Sequence, residues 1–573
     1  MTQFKYIIFS SLLLTACAQA PRQPEAEKPA EPPVQQTEST AVLPNVELSD
    51  ELLYQFLLSE IASQRGHAAL AAEGSSELAR KTRDPRLAMR AAQLALQSGQ
   101  VDKAIEAIRV WRESDPDSPV AMSALSEILL RSGRLDEARQ EFVNMLQAKD
   151  ANAGHIFLQT YQMLAPYPDK AAALKLMSDL AQPYSHVAEA HWAVAQLALA
   201  SGDEELALNE IRQARALRAK WDMAASLEAH LLRKNAPQQG LEVLRAYLSK
   251  YPDASEIRLQ YARALLEQKQ YKLSRDEFRR LADEAPDDPE MAFAIALISI
   301  QLNDLQGAET QLKQALSKGK KDQDTVQYYL GQLSEAKKNE DEAIEYYRQV
   351  KGGEHQFAAQ IRIAYLLNKR GQLDEARQQL HLIKATDNQQ RVQLVLIEAQ
   401  ILRAANQYAE AYQLLRQNLE KLPNHPDLLY ETAMAADMNG EHGVFEQLMR
   451  KLIQIKPDHA HAYNALGYSL LERKERLPEA MELVEKALQL APDDPAIMDS
   501  MGWGYYRSGN LDESVKMLRR AHAANPDPEI AAHLGEVLWQ RGDKEEAKRI
   551  WQDSLKANQG NVQLQAVMKR FMP

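Results

Sequence analysis

A single cysteine in 573 residues leaves no partner for an intramolecular disulfide and no cysteine cluster for zinc. Gly (22) and Pro (25) are both scarce, which excludes a collagen-like fibre and argues against a turn-rich β-sandwich. No apolar run reaches the roughly 20 residues of a membrane-spanning helix. Basic residues are outnumbered, 68 Lys and Arg against 80 Asp and Glu. A net charge of −12 speaks against a general nucleic-acid binder, which must neutralise phosphates. Catalytic signatures are missing too: there is no phosphate-binding Gly-Lys-Ser/Thr loop, no Gly-x-Ser-x-Gly elbow and no His-Glu-x-x-His. What remains is a chain with 45% apolar and 26% charged residues, the balance of a globular protein, and one expected to be mostly helix.

The lone cysteine stands at position 17, after Lys5, an apolar stretch from Tyr6 to Leu14 and small residues, which is the layout of a secretory signal. Leu14-Thr15-Ala16-Cys17 resembles the bacterial lipobox. That resemblance implies cleavage before Cys17, lipidation of its thiol and of the new amino group, and, with Ala18 rather than Asp next, a place in the outer membrane facing the periplasm. Several acyl chains on one residue anchor stably where one does not. Residues 1–16 are thus expected to be a signal peptide and 17–47 a lipidated cysteine with a tether. The tether carries Pro21, Pro24, Pro29, Pro32, Pro33 and Pro44 among Gln, Glu, Ala and Thr, with too little apolar surface for a core. About 30 residues of polyproline-like chain reach roughly 90 Å.

From residue 48 to 573 the sequence repeats. Steps of 33 to 35 residues from Ala104 land on Ala138, Ala172, Ala207, Gly240, Ser274, Ala308, Ala343, Ala376, Ala411, Phe445, Ala480, Ser514 and Ala547, and only Phe445 is not small. A second small series lies twelve residues earlier, including Ala262, Gly331, Ala364, Gly502 and Gly535; Gly467 precedes Ala480 by thirteen. Pro116, Pro252, Pro286, Pro457, Pro492 and Pro526 follow the first series by twelve. A unit around Leu70 extends the register backwards. Period, both small positions and the proline resemble the tetratricopeptide repeat (TPR). The resemblance implies an all-α fold: a superhelical solenoid of about fifteen antiparallel helical hairpins, since no single hairpin buries its own apolar stripe. Val562, Leu564, Val567, Met568 and Phe571 are expected to mark a C-terminal capping helix.

Chemistry is sparse in these repeats. Ser317 to Lys320 and Ser334 to Lys337 match Ser-x-x-Lys, a chance pattern in so lysine-rich a chain, and are expected on helix or turn surfaces. Asp458-His459-Ala460-His461 has two histidines beside the helix-breaking Pro457 but no third metal ligand, so a solvated turn is the expectation. Neither catalytic residues, nor a metal, nor a cofactor is expected, and the chain reads as a non-enzyme. In the TPR family, positions 2, 5, 9, 12 and 13 of each first helix face the concave groove. Carried onto the last three repeats, that rule places Asn464, Tyr468, Glu472, Asp499, Trp503, Tyr506, Arg507, Glu536 and Trp539 there, with Trp192, Tyr328, Tyr365 and Tyr430 in equivalent places upstream. Aromatics with interleaved charge are the composition of a binding hot spot; the alternative is that the rings pack between repeats. A second candidate is Leu52, Leu53, Tyr54, Phe56, Leu57, Leu58 and Ile61, apolar on nearly all sides of one helix, either a buried first helix or a docking element.

Ala465-Leu466-Gly467-Tyr468, Asp499-Ser500-Met501-Gly502-Trp503 and Ile530 through Trp539, together with the lipobox, resemble the large proteobacterial TPR lipoproteins. A member of that group is the adaptor of a periplasmic carboxyl-terminal processing protease that trims peptidoglycan hydrolases. The resemblance implies the same partners here, protease and protein substrates, with the outer membrane held through the lipid. A scaffold for envelope assembly or exopolysaccharide export is the alternative.

Overall fold

The computed structural model describes residues 44–116, 118–148, 151–558 and 560–572; the expected signal peptide, Cys17 and nearly all of the tether lie outside them. The chain divides into two compact units between Lys321 and Asp322. Among the described residues of the first, sixteen α-helices from Asp50–Gln64 to Leu305–Ser317 form eight hairpins. In the second, helices from Gln323–Ala336 to Lys544–Ala557 form seven hairpins, and Val562–Phe571 closes the series. The described residues include no strand.

One hairpin shows why each step forms. Asp494 caps the helix Pro495–Arg507 by accepting from the amides of Ala496 (2.9 Å) and Ile497 (3.1 Å), and Pro495 fills the first position, where no amide donor is needed. Gly509 turns the chain at φ +82°, a left-handed conformation that costs glycine nothing. Asn510 then caps Leu511–Ala524, whose first turn holds Asp512 and Glu513 against the positive end of the helix dipole. Pro526 follows the helix end, and Asp527 and Pro528 begin the next repeat.

The small residues lie at the seam between paired helices. Ala104, Ala138, Ala207, Ala308, Ala343, Ala376, Ala411, Ala480 and Ala547 have no exposed surface. Where serine replaces alanine it bonds across the seam: Ser274 donates to the Ala262 carbonyl (2.8 Å) and Ser514 to that of Gly502 (2.7 Å). Glycine appears where the opposite helix brings a ring. A Cβ at Gly535 would stand 2.0 Å from Nε1 of Trp551, and one at Gly331 2.5 Å from Tyr347. Phe445 is buried in the same register.

Three expectations need correction. Ala172 is only partly buried and Ala173 takes the seam, because the helix Lys170–Ala181 starts one residue late after its cap, Asp169. Leu70 is 52% exposed and Ala71 occupies the equivalent place. Val562 points outward at 78% exposure, while Leu564 is fully buried and Phe571 stacks on Trp551 at 5.8 Å.

Neighbouring repeats are tied by ion pairs 27 to 30 residues apart, such as Arg109–Glu137 (2.5 Å), Arg370–Asp341 (2.7 Å), Arg476–Glu446 (2.5 Å) and Arg519–Glu546 (2.8 Å). Each exposed pair contributes only about 0–1 kcal/mol.

Candidate binding surfaces

In the second unit the first helices of the last hairpins lie side by side and bring most of the expected residues into one cluster. Trp503 is its centre. The indole Nε1 donates to Glu472 at 2.5 Å, and the ring stacks on His533 (centroids 4.2 Å apart, 23° between planes). Tyr506 packs against the same indole at 4.9 Å, and the Arg507 guanidinium sits over it at 4.8 Å while reaching Glu472 at 3.2 Å. Beneath, His533 pairs through Nδ1 with Asp499 at 2.8 Å. Tyr468 leans on His533 and donates to Glu529 at 3.3 Å; Tyr506 donates to Glu536, which also binds Arg570 from the last helix.

Trp503, Asp499, His533 and Glu536 are buried, and Asn464, Tyr468, Tyr506 and Trp539 are half-buried. Trp539 turns toward the end of the chain, against Trp551 (5.9 Å), Phe571 (6.1 Å) and Lys544. The accessible part of the cluster is therefore the edges of Tyr468 and Tyr506 with Glu472 and Arg507, over a floor of Trp503 and His533. Burial disfavours the charged form of His533, yet the hydrogen bond and charge of Asp499, with Glu529 and Glu472 nearby, outweigh it and raise its pKa. Burial, aided by Glu529, Glu472 and Asp499, lifts the Tyr468 phenol well above its ordinary value.

His533, Glu529 and Arg570 were missed from the sequence. His533 lies 34 residues after Asp499, one period, and that offset between an acid and a base was the available signal. Upstream, Trp192 is buried between Tyr161 (5.0 Å) and Trp221 (6.0 Å), and Tyr328 is buried and stacked flat on His355 (4.5 Å, 3°). Tyr430 is half-buried against His459, and Tyr365 is 47% exposed beneath Arg362.

The Ser-x-x-Lys and histidine motifs have structural occupations. Lys320 is buried rather than on the surface, bound to Glu290 (2.8 Å) and lying over Phe293; Ser334 is also buried and donates to Glu342. His459 caps its helix, its Nδ1 accepting from the Ala462 amide at 3.1 Å. Among the described residues no group of three or more His, Cys, Asp and Glu is arranged to hold a metal, and no helix is long and apolar enough to cross a membrane.

The second candidate surface is in the first unit. The helix Asp50–Gln64 buries only Ser59 and Ala62, and it packs by its polar side. Ser59 fits over Gly74, Gln55 and Glu51 meet Lys81 at 3.2 and 3.1 Å, and Ser63 accepts from Arg90 at 3.0 Å. The apolar side is left outward. Leu53 (41%), Tyr54 (66%), Phe56 (42%), Leu57 (49%), Leu58 (42%) and Ile61 (47%) are all exposed, and Leu52 is half-buried. Among the described residues, then, the helix is not a buried first helix.

Family models described as tetratricopeptide repeat match residues 56–119, 89–154, 293–359, 398–460 and 444–495, further ones 231–298 and 472–533, and another 528–553. A TPR repeat-containing protein of Pseudomonas aeruginosa is 32% identical over 493 residues, covering 85% of this chain and 82% of its own length. Among solved structures, a thermophilic TPR protein of Thermus thermophilus is 22% identical over 31% of this chain and 98% of its own, with a TM-score of 0.30. The Naa15/Naa10 complex with HypK-THB contains a chain 14% identical, covering 88% of this chain and 94% of that one, with a TM-score of 0.35.

Proposed function

The chain belongs to the tetratricopeptide repeat family, a class of protein-interaction scaffolds, and from that premise we propose that it is a lipid-anchored periplasmic adaptor. It gathers a carboxyl-terminal processing protease and that protease's substrates, such as peptidoglycan hydrolases, at the outer membrane. The observation that carries the reading is the aromatic and charged cluster around Trp503 on the first helices of the second unit. Rings with a polar edge, flanked by Glu472 and Arg507, can grip a polypeptide by stacking and by charge at once. The anchor comes from the sequence motif ending in Cys17. Holding enzyme and substrate together raises their effective concentration to the order of millimolar without new chemistry.

The purified chain lacking residues 1–17 is expected to leave substrates intact alone and to accelerate their cleavage by the cognate protease. Tyr506→Phe with Glu472→Gln is expected to reduce that acceleration with little change in melting temperature, because the ring still packs on Trp503 and the amide oxygen still accepts from its Nε1, while the hydroxyl and the charge offered to a partner are gone. Trp503→Ala confounds the two readouts, since that ring is also packing. No stimulation of any such protease from the same cell refutes the adaptor. For the anchor, Cys17→Ser should release the protein from the outer-membrane fraction; unchanged fractionation and mobility refute lipidation.

A further inference from the structure

The outward stripe on the helix Asp50–Gln64 has charged ends of opposite sign. At 3.6 residues per turn Leu53, Leu57 and Ile61 form one ridge, with Tyr54 and Leu58 beside it. Asp50 begins that face and Arg65, the residue that ends the helix, terminates it. Both are exposed, and they stand seven residues before and eight after Leu57. Neither has a side-chain partner among the described residues.

A surface that is negative at its start, apolar along its middle and positive at its end is complementary to itself reversed. We infer that a second copy of this chain covers it, the two helices lying antiparallel about a two-fold axis at Leu57. Leu57 then meets Leu57, Leu53 meets Ile61, and each Asp50 meets the Arg65 of the other copy. Such an interface is isologous, so it closes at two copies. Opposed helix dipoles and both charge pairs favour this direction over the parallel one. A bilayer is the poorer occupant: Glu47, Asp50, Glu51 and Glu60 flank the stripe, where a helix lying on an anionic membrane carries Lys and Arg. About 22 Å of helix gives a contact below the standard size of a stable interface, so the pair is concentration-dependent. The inference goes beyond the adaptor reading and does not rest on it.

The test uses the full chain carrying Cys17→Ser, which removes the natural thiol, in detergent with micelles in excess. Sedimentation is expected to show a mass that doubles with rising concentration, and Leu57→Glu is expected to stay monomeric. Leu57→Cys should form a disulfide-linked dimer under mild oxidation, while Ser63→Cys, on the side turned to Arg90, should not. Asp50→Arg should weaken pairing several-fold, and adding Arg65→Asp in the same chain should restore it. A monomer at every concentration, a dimer indifferent to Leu57→Glu, or failure of the double charge reversal to rescue overturns the proposal. So does a monomer that floats with phosphatidylethanolamine and phosphatidylglycerol vesicles through Leu57.

Discussion

His533 illustrates how one residue can join three repeats. Its ring lies between Trp503 and Tyr468 and its proton is shared with Asp499, so helices of successive hairpins meet on one imidazole. Because its folded pKa is raised above the unfolded value of 6.5, the charged pair stabilises the fold fully below that pH. The contribution is then lost as pH rises through the folded value. The stability difference between the natural chain and His533→Gln is therefore expected to shrink as pH climbs above 6.5, which thermal melts across that range can follow. A difference that grows instead would mean that the ring is neutral when folded. A second residue-scale prediction concerns Gly535: Gly535→Ala forces a methyl into the Trp551 indole and should cost about 1–3 kcal/mol. Equilibrium unfolding in denaturant measures it.

At the scale of the helix, the seams decide. Ala343, Ala376, Ala411 and Ala480 are fully buried between paired helices, so Leu at any one should overpack its hairpin by about 1–3 kcal/mol. Hydrogen exchange should show that hairpin and its immediate neighbours loosening first, because most of a repeat's contacts are with the repeats on either side of it. The hairpins were legible in the sequence because the geometry of a close helix pair admits little but Ala, Gly or Ser at two places. Steps of 33 and 35 were harder to read, which is why Leu70 and Ala172 stood one residue away from Ala71 and Ala173. The outward face of Asp50–Gln64 was not legible either. Leu52 through Leu58 is apolar in every direction but Gln55, and only the packing of Ser59 on Gly74 reveals which side turns in. The Trp503 cluster was half legible: its rings came from the repeat positions, whereas Arg570 reaches it from a helix outside the repeat pattern.

At the scale of the molecule, the same step is taken again and again within each unit, and each step leaves an apolar face for the next. The last helix, Val562–Phe571, ends the series by laying Phe571 over the rings of Trp551 and Trp539 and burying Leu564 in the same core. Deleting residues 562–572 should uncover both tryptophans and shift their fluorescence to longer wavelength; an unshifted spectrum would place the cap elsewhere.

That helix acts as a chain terminator does in polymerisation. An array with a live apolar face at its end could add another array there, head to tail, and grow into a filament, because nothing in a translational step tells it to stop. Stoppered at its last repeat, the protein can be crowded without polymerising from that end.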